Sequence, residues 1–338
     1  MTVPTVYPWH AEAFQALLSR TMLPHAIMFA GPEGMGKLAY AQALAAALVC
    51  ETGKGHAPAC GQCPGCHWTT SESHPDVKMV EPYAGTESKG PDGETIEKDA
   101  KKYIVVDQIR ALADFIGLSS HRGGARVIIV HPAEALNTAA ANALLKNLEE
   151  PPPATYFLLV SHRPQTLLPT IKSRCQIVTT GHPAEKEALA WLATQDVEQP
   201  GLALANTGGA PLRAARLTVD DYWRPRAAFL RLIAPHDFDV LQAADVMKDF
   251  EPAAVLEWLQ KWTYDLVSQK AVGRIRYNVD QSTAIAAAAG RIDALSALRF
   301  HRKLVRMQRV ISHPLNARLM YEDLLGIYSQ VARGRAWR

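Results

Sequence analysis

A chain of 338 residues, 48% hydrophobic and 20% charged, has ordinary globular composition, and at roughly 100–200 residues per domain it predicts two or three domains. Residues 1–20 lack the basic start and apolar run of a secretory signal, and no window approaches the ~20 apolar residues of a spanning helix, so a soluble, cytoplasmic protein with no membrane partner is expected. The net charge is only +3, and five cysteines in a cytosolic chain of this size point away from a disulfide framework.

Residues 26–30 form a short apolar run that enters a Gly-rich turn at 31–36. Residues 38–50 follow as a helix dense in Ala and Leu. Between strand and helix, Gly31-Pro32-Glu33-Gly34-Met35-Gly36-Lys37 fits the G-x-x-x-x-G-K phosphate loop. Its glycines let backbone N–H groups turn inward around phosphate, and the lysine neutralises the outer phosphates. The next residue should carry a hydroxyl for Mg²⁺, and here it is Leu38. Gly31, Gly34, Gly36 and Lys37 are therefore candidate nucleotide-binding residues of a degenerate loop. ATP is not expected to bind productively; binding without turnover, and survival of the loop as a plain strand-to-helix turn, both stay open.

Cys50-x9-Cys60-x2-Cys63-x2-Cys66 comes next. Two residues between cysteines let both thiolates reach one tetrahedral ion, and four close the shell. Structural Zn²⁺ is the expected cofactor, with an iron–sulfur cluster as the alternative. His56, His67 and His74 are read as loop histidines that could substitute as ligands. Residues 84–102, polar and nearly free of large apolar side chains, predict an exposed loop.

Residues 126–130 predict a second buried strand and 156–160 a third, with a helix over 135–150 that stops at Pro151-Pro152-Pro153. The second strand should end in Asp-Glu, for metal and water, but gives His131-Pro132. Strands alternating with helices imply an α/β domain with a largely parallel sheet. Beyond Gly181-His182-Pro183 the strands stop. Helices are predicted over 184–194, 202–219 and 291–312. In the last, Phe300, Leu304, Met307 and Ile311 make an apolar stripe backed by Arg299, Arg302, Arg306 and Arg309. From residue 270 onward thirteen Lys/Arg face four Asp/Glu, a basic tail that fits nucleic acid, an acidic partner or plain solvent.

Further stretches carry a resemblance. Residues 142–152, Asn-Ala-Leu-Leu-Lys-Asn-Leu-Glu-Glu-Pro-Pro, closely resemble the signature of bacterial DNA polymerase III clamp-loader subunits. Ser173-Arg174-Cys175 resembles that family's S-R-C motif, and Tyr7-Pro8-Trp9 with residues 25–30 resembles its opening. Gly208 to Arg216 is similar to the stretch carrying its second sensor arginine, here Arg213. The resemblance implies a RecA-like AAA+ domain over 1–180 with a zinc-binding insertion at 50–66, a helical lid over 181–219 and a C-terminal helical collar over 220–338. It implies an inactive member of the arc of subunits that loads the sliding clamp onto primed DNA, with the delta and gamma/tau subunits as partners. It also implies that Arg174 acts in trans on a neighbour's ATP. An active gamma/tau-type ATPase and a zinc-dependent DNA-binding module are the alternatives.

Overall fold

The computed structural model describes residues 3–83, 86–89, 95–98, 103–117, 124–308, 311 and 316–337. The chain divides into two compact units, residues 1–187 and 188–338. In the first, α1 (Ala11–Leu18) precedes β1 (Ala26–Ala30), α2 (Lys37–Val49), α3 (Pro64–Thr70) and β2 (Val77–Val80). A short antiparallel pair follows, β3 (Thr86–Lys89) and β4 (Thr95–Lys98), then α4 (Val106–Arg110), α5 (Leu112–Gly117) and β5 (Arg126–Val130). The unit continues through α6 (Thr138–Glu149), β6 (Thr155–Ser161), α7 (Pro169–Lys172) and β7 (Gln176–Thr179).

Five strands form one parallel sheet in the order β2-β5-β6-β1-β7. Side chains alternate along each strand. Met28, Ile128, Val130, Phe157 and Leu159 pack on one face with Leu144 and Leu148 of α6. Ile27, Phe29, Val127, Ile129 and Leu158 pack on the other with Phe14 of α1 and Tyr40 and Leu44 of α2. Burial on both faces explains why the central strands read as unbroken apolar runs. The edge strands β2 and β7 are half-exposed and carry polar residues, which is why the apolar-run criterion passed over them.

The second unit opens with α8 (Glu185–Leu192), which begins in the first, and runs through α9 (Pro200–Asn206) and α10 (Pro211–Ala214). A π-turn at Val219–Trp223 leads to α11 (Arg224–Ile233), α12 (Val240–Met247) and α13 (Pro252–Val272). It ends with α14 (Ser282–Arg291), α15 (Ala294–Met307) and α16 (Ala317–Ala332). Leu192, Ala203, Leu204 and Ala214 close a small cluster of their own. A larger core forms around Trp258, Trp262, Phe300, Leu324 and Tyr328. The architecture is α/β followed by all-α. Among the described residues no helix is long and apolar enough to cross a membrane.

Several boundaries differ from expectation. The helix expected over 202–219 is two short helices parted at Gly208 and Gly209, whose φ values of 69° and 90° end α9 in the left-handed region. The helix expected over 291–312 is broken at Ile292, and Asp293 caps α15 by accepting from the Ser296 amide at 2.8 Å. Residues 84–102 are not wholly loop, since β3 and β4 pair within them. The remainder of that stretch lies outside the described residues, as do Arg309 and Ser312.

Candidate functional site

The phosphate loop lies where the sequence puts it, between β1 and α2. Gly36 has φ 88°, and a Cβ there would fall 2.4 Å from the Tyr7 ring. At Gly31 a Cβ would meet the Thr180 carbonyl oxygen at 2.2 Å. Both positions therefore need glycine for close packing, whether or not phosphate is held. Tyr7 stacks on Trp9 with centroids 4.9 Å apart. Trp9 Nε1 donates to the Met35 carbonyl at 2.9 Å, and His10 Nε2 lies 2.6 Å from the same oxygen. The aromatic opening of the chain is thus fastened onto the loop.

Lys37 is 2% exposed, and its ammonium donates to the Pro32 carbonyl of its own loop. Burial lowers its pKa to about 8, against the opposing pull of Glu134 and Glu33. Leu38 lines a cavity of about 700 Å³ with Gln42, Thr70, Val77, Met79 and Ile129. It supplies packing surface where a metal ligand would stand.

His131 and Pro132 follow β5 as expected, and His131 Nδ1 meets Glu81 Oε1 at 2.8 Å. Sequence reasoning missed Glu134. Its side chain is 4% exposed, and its two oxygens accept the His162 amide at 3.0 and 3.2 Å. A signal existed, because Glu134 is the one acid between Val130 and Glu149. The carboxylate accepts a backbone amide, lies 4.0 Å from Arg163 Nε, and sits beyond the strand end rather than on it. His162 beside it has a lowered pKa, first through burial and then through Lys37.

Cys50, Cys60, Cys63 and Cys66 converge, with all four Sγ atoms within 4.8 Å of one another, and could hold a metal ion. Cys60 and Cys66 Sγ are 3.8 Å apart, and Cys63 and Cys50 Sγ 4.0 Å. Four thiolates at the ~2.3 Å Zn–S bond length span tetrahedral edges of about 3.8 Å, so the donors fit one ion. Cys50 caps the C-terminus of α2, Gly61 turns the chain at φ 77°, and Pro64 starts α3 with Cys63 at its N-cap and Cys66 within it. The Gly53 and Cys60 amides point at Cys50 Sγ, both at 3.4 Å. The Gln62 amide and the Thr52 hydroxyl hold Cys60 down to about 6. Such donors favour thiolate, the form that binds metal, at Cys60, whereas burial pushes the Cys66 thiol up to about 12. His56, His67 and His74 lie outside this group; His74 Nδ1 accepts the Asp76 amide at 3.0 Å.

Arg174 lies just past α7, partly exposed, in an ion pair with Glu149 at the end of α6. The structure therefore joins two motifs that sequence reasoning read separately. Cys175 beside it is packed on the sheet core, and burial pushes its thiol up to about 12. Arg213 meets Glu257 Oε1 of α13 at 2.9 Å, and Glu257 also holds Lys261 at 2.6 Å. Lys261 Nζ donates to Asn206 Oδ1 at 2.8 Å and to the Tyr222 hydroxyl at 2.9 Å. On α15, Phe300 and Leu304 are buried while Arg299, Arg302 and Arg306 are exposed.

A family model described as "DNA polymerase III, delta subunit" matches residues 8–183, and one described as "DNA polymerase III, delta subunit, C terminal" matches residues 220–329. The chain is similar to a Pseudomonas aeruginosa protein named DNA polymerase III subunit delta′, 41% identical over 63% of this chain and 61% of that one. That match spans less than two thirds of the Pseudomonas protein. An Escherichia coli K12 protein of the same name is 30% identical over 94% of each chain. Among solved structures, a gamma subunit-related protein from Thermotoga maritima is 19% identical over 95% of this chain and 99% of that one, with a TM-score of 0.42.

Proposed function

The chain belongs to the bacterial DNA polymerase III delta-prime family, and from that premise we propose that it is a clamp-loader subunit that hydrolyses no ATP itself and acts on a neighbour's. The observation that carries this reading is the state of its own loop. Lys37 is buried against its own carbonyl, Leu38 faces a cavity, and the aromatic opening is fastened over Gly36. Each role in hydrolysis lacks its group: metal ligand, metal carboxylate and water-polarising carboxylate. Glu134 does not fill the gap, since it lies beyond the end of β5 with its side chain buried and turned to the His162 amide.

In this reading Arg174 serves as the arginine finger. A guanidinium is permanently charged and presents a planar fork to phosphate oxygens. A finger supplied in trans is worth ~10³–10⁵ in rate where nucleotide hydrolases have been dissected. The family supports delta and gamma/tau subunits as partners, with the sliding clamp and primed DNA reached through the complex in the cytoplasm. The four cysteines hold structural Zn²⁺; thiolates at single-ion spacing support it, since a cluster of several irons would hold them further apart. We read three functional segments, 1–180, 181–219 and 220–338, the second and third sharing one compact unit apart from 181–187.

The test is the pure protein and the reconstituted complex side by side. The pure protein should show no ATP turnover above background. In the complex, with the other sites disabled, Arg174→Ala should leave assembly intact and cut hydrolysis at the adjacent site. Turnover by the pure protein that Lys37→Ala abolishes, or undiminished hydrolysis with Arg174→Ala, overturns the reading.

A further inference from the structure

Most of the Arg174 guanidinium is already engaged within the chain. Nη1 donates to the Thr170 carbonyl at 3.0 Å and to Ser173 Oγ at 3.3 Å. Ser173 Oγ itself donates to the same carbonyl at 3.0 Å, which ties the turn together. Nε is out of solvent and, among the described residues, has no hydrogen-bond partner. The outward end of the fork is therefore Nη2, and Glu149 Oε1 sits on it.

Glu149 is the last residue of α6, the helix that carries the Leu-Glu-Glu-Pro-Pro stretch, so the placing of its carboxylate is fixed by that motif. The pair is at the surface, with side chains 32% and 48% exposed, so an incoming group can reach it. A carboxylate and a phosphate make the same demand on a guanidinium, negative oxygens in the plane of the fork. They cannot share Nη2 cheaply, because they repel each other.

Resting on the reading of Arg174 as a finger, we propose that Glu149 is an anionic placeholder: it holds the Nη2 edge of Arg174 ready for phosphate and is displaced when the neighbour's nucleotide arrives. Glu149 is thus a positioning residue, and its charge sets how readily the finger changes partner. The exchange is one anion for another on an unchanged cation. The tied Nη1 keeps the guanidinium in place while it happens.

The test uses a reconstituted complex in which hydrolysis is confined to the site beside this subunit, assayed across ATP concentrations. Glu149→Gln keeps an acceptor oxygen near Arg174 and removes the competing charge. KM for ATP is expected to fall roughly 1.4–5-fold, the range for part-exposed ion pairs, with kcat held. The difference should close as added salt screens the pair. Glu149→Asp, whose carboxylate is one methylene short of Nη2, should share the lowered KM. In an Arg174→Ala background, with no guanidinium to release, neither substitution should move KM. Were Glu149 merely structural, the free subunit would lose thermal stability and KM would stay. An unchanged or raised KM, when Arg174→Ala has itself cut hydrolysis, overturns the placeholder and leaves the finger standing. Undiminished hydrolysis with Arg174→Ala overturns both.

Discussion

Gly36 has two reasons to be glycine, a φ of 88° and a Tyr7 ring where its Cβ would be. Gly36→Ala should destabilise the first unit by about 1–3 kcal/mol, measured by chemical denaturation, with the change visible in Trp9 fluorescence. An alanine variant as stable as the parent would show that the loop relaxes freely. Lys37 permits a second prediction with a definite sign. Its folded pKa is about 8 against an ordinary 10.5, so holding its charge in the folded state costs stability. That cost is complete below about pH 8 and fades as pH rises toward 10.5. Lys37→Met should therefore gain most on the parent at pH 7, and the gap should narrow by pH 10. A gap that widens with pH would mean the ammonium is stabilised where it lies.

Among the elements, the thiolate knuckle couples the end of α2 to the start of α3. Structural Zn²⁺ contributes ~10–16 kcal/mol of apparent binding free energy in small zinc-finger peptides near neutral pH. Cys63→Ser should lose the metal and loosen residues 50–66 while the sheet persists, as metal analysis and hydrogen exchange would report. Iron, or no metal in protein purified without chelator, would refute zinc. The cysteines were legible in the sequence because C-x2-C spacing is a local constraint, and β1 and β5 were legible as short apolar runs. What was not legible is non-local. Glu149 and Arg174 are read apart along the chain and meet only because α6 and α7 pack together. Glu134 gave no strand-end signal, and its burial depends on an amide from the loop after β6. The edge strands were missed because one polar face hides their period.

For the whole molecule, two units with separate cores make separable unfolding the expectation. Asp265 is fully buried and accepts the amides of Arg276, Tyr277 and Asn278 and the Asn278 side chain. Asp265→Ala would strand those donors, at about 3 kcal/mol or more. Calorimetry should show this substitution moving one transition and a zinc chelator moving the other. One transition shifted by both treatments would show that the units unfold together. The second unit also contains a clasp. Arg213 of α10 and Asn206 of α9 are both bound to α13, through Glu257 and Lys261. In mechanical terms this replaces a hinge with a weld. Torque applied to α13 reaches the short helices through these side-chain contacts as well as through the connecting chain.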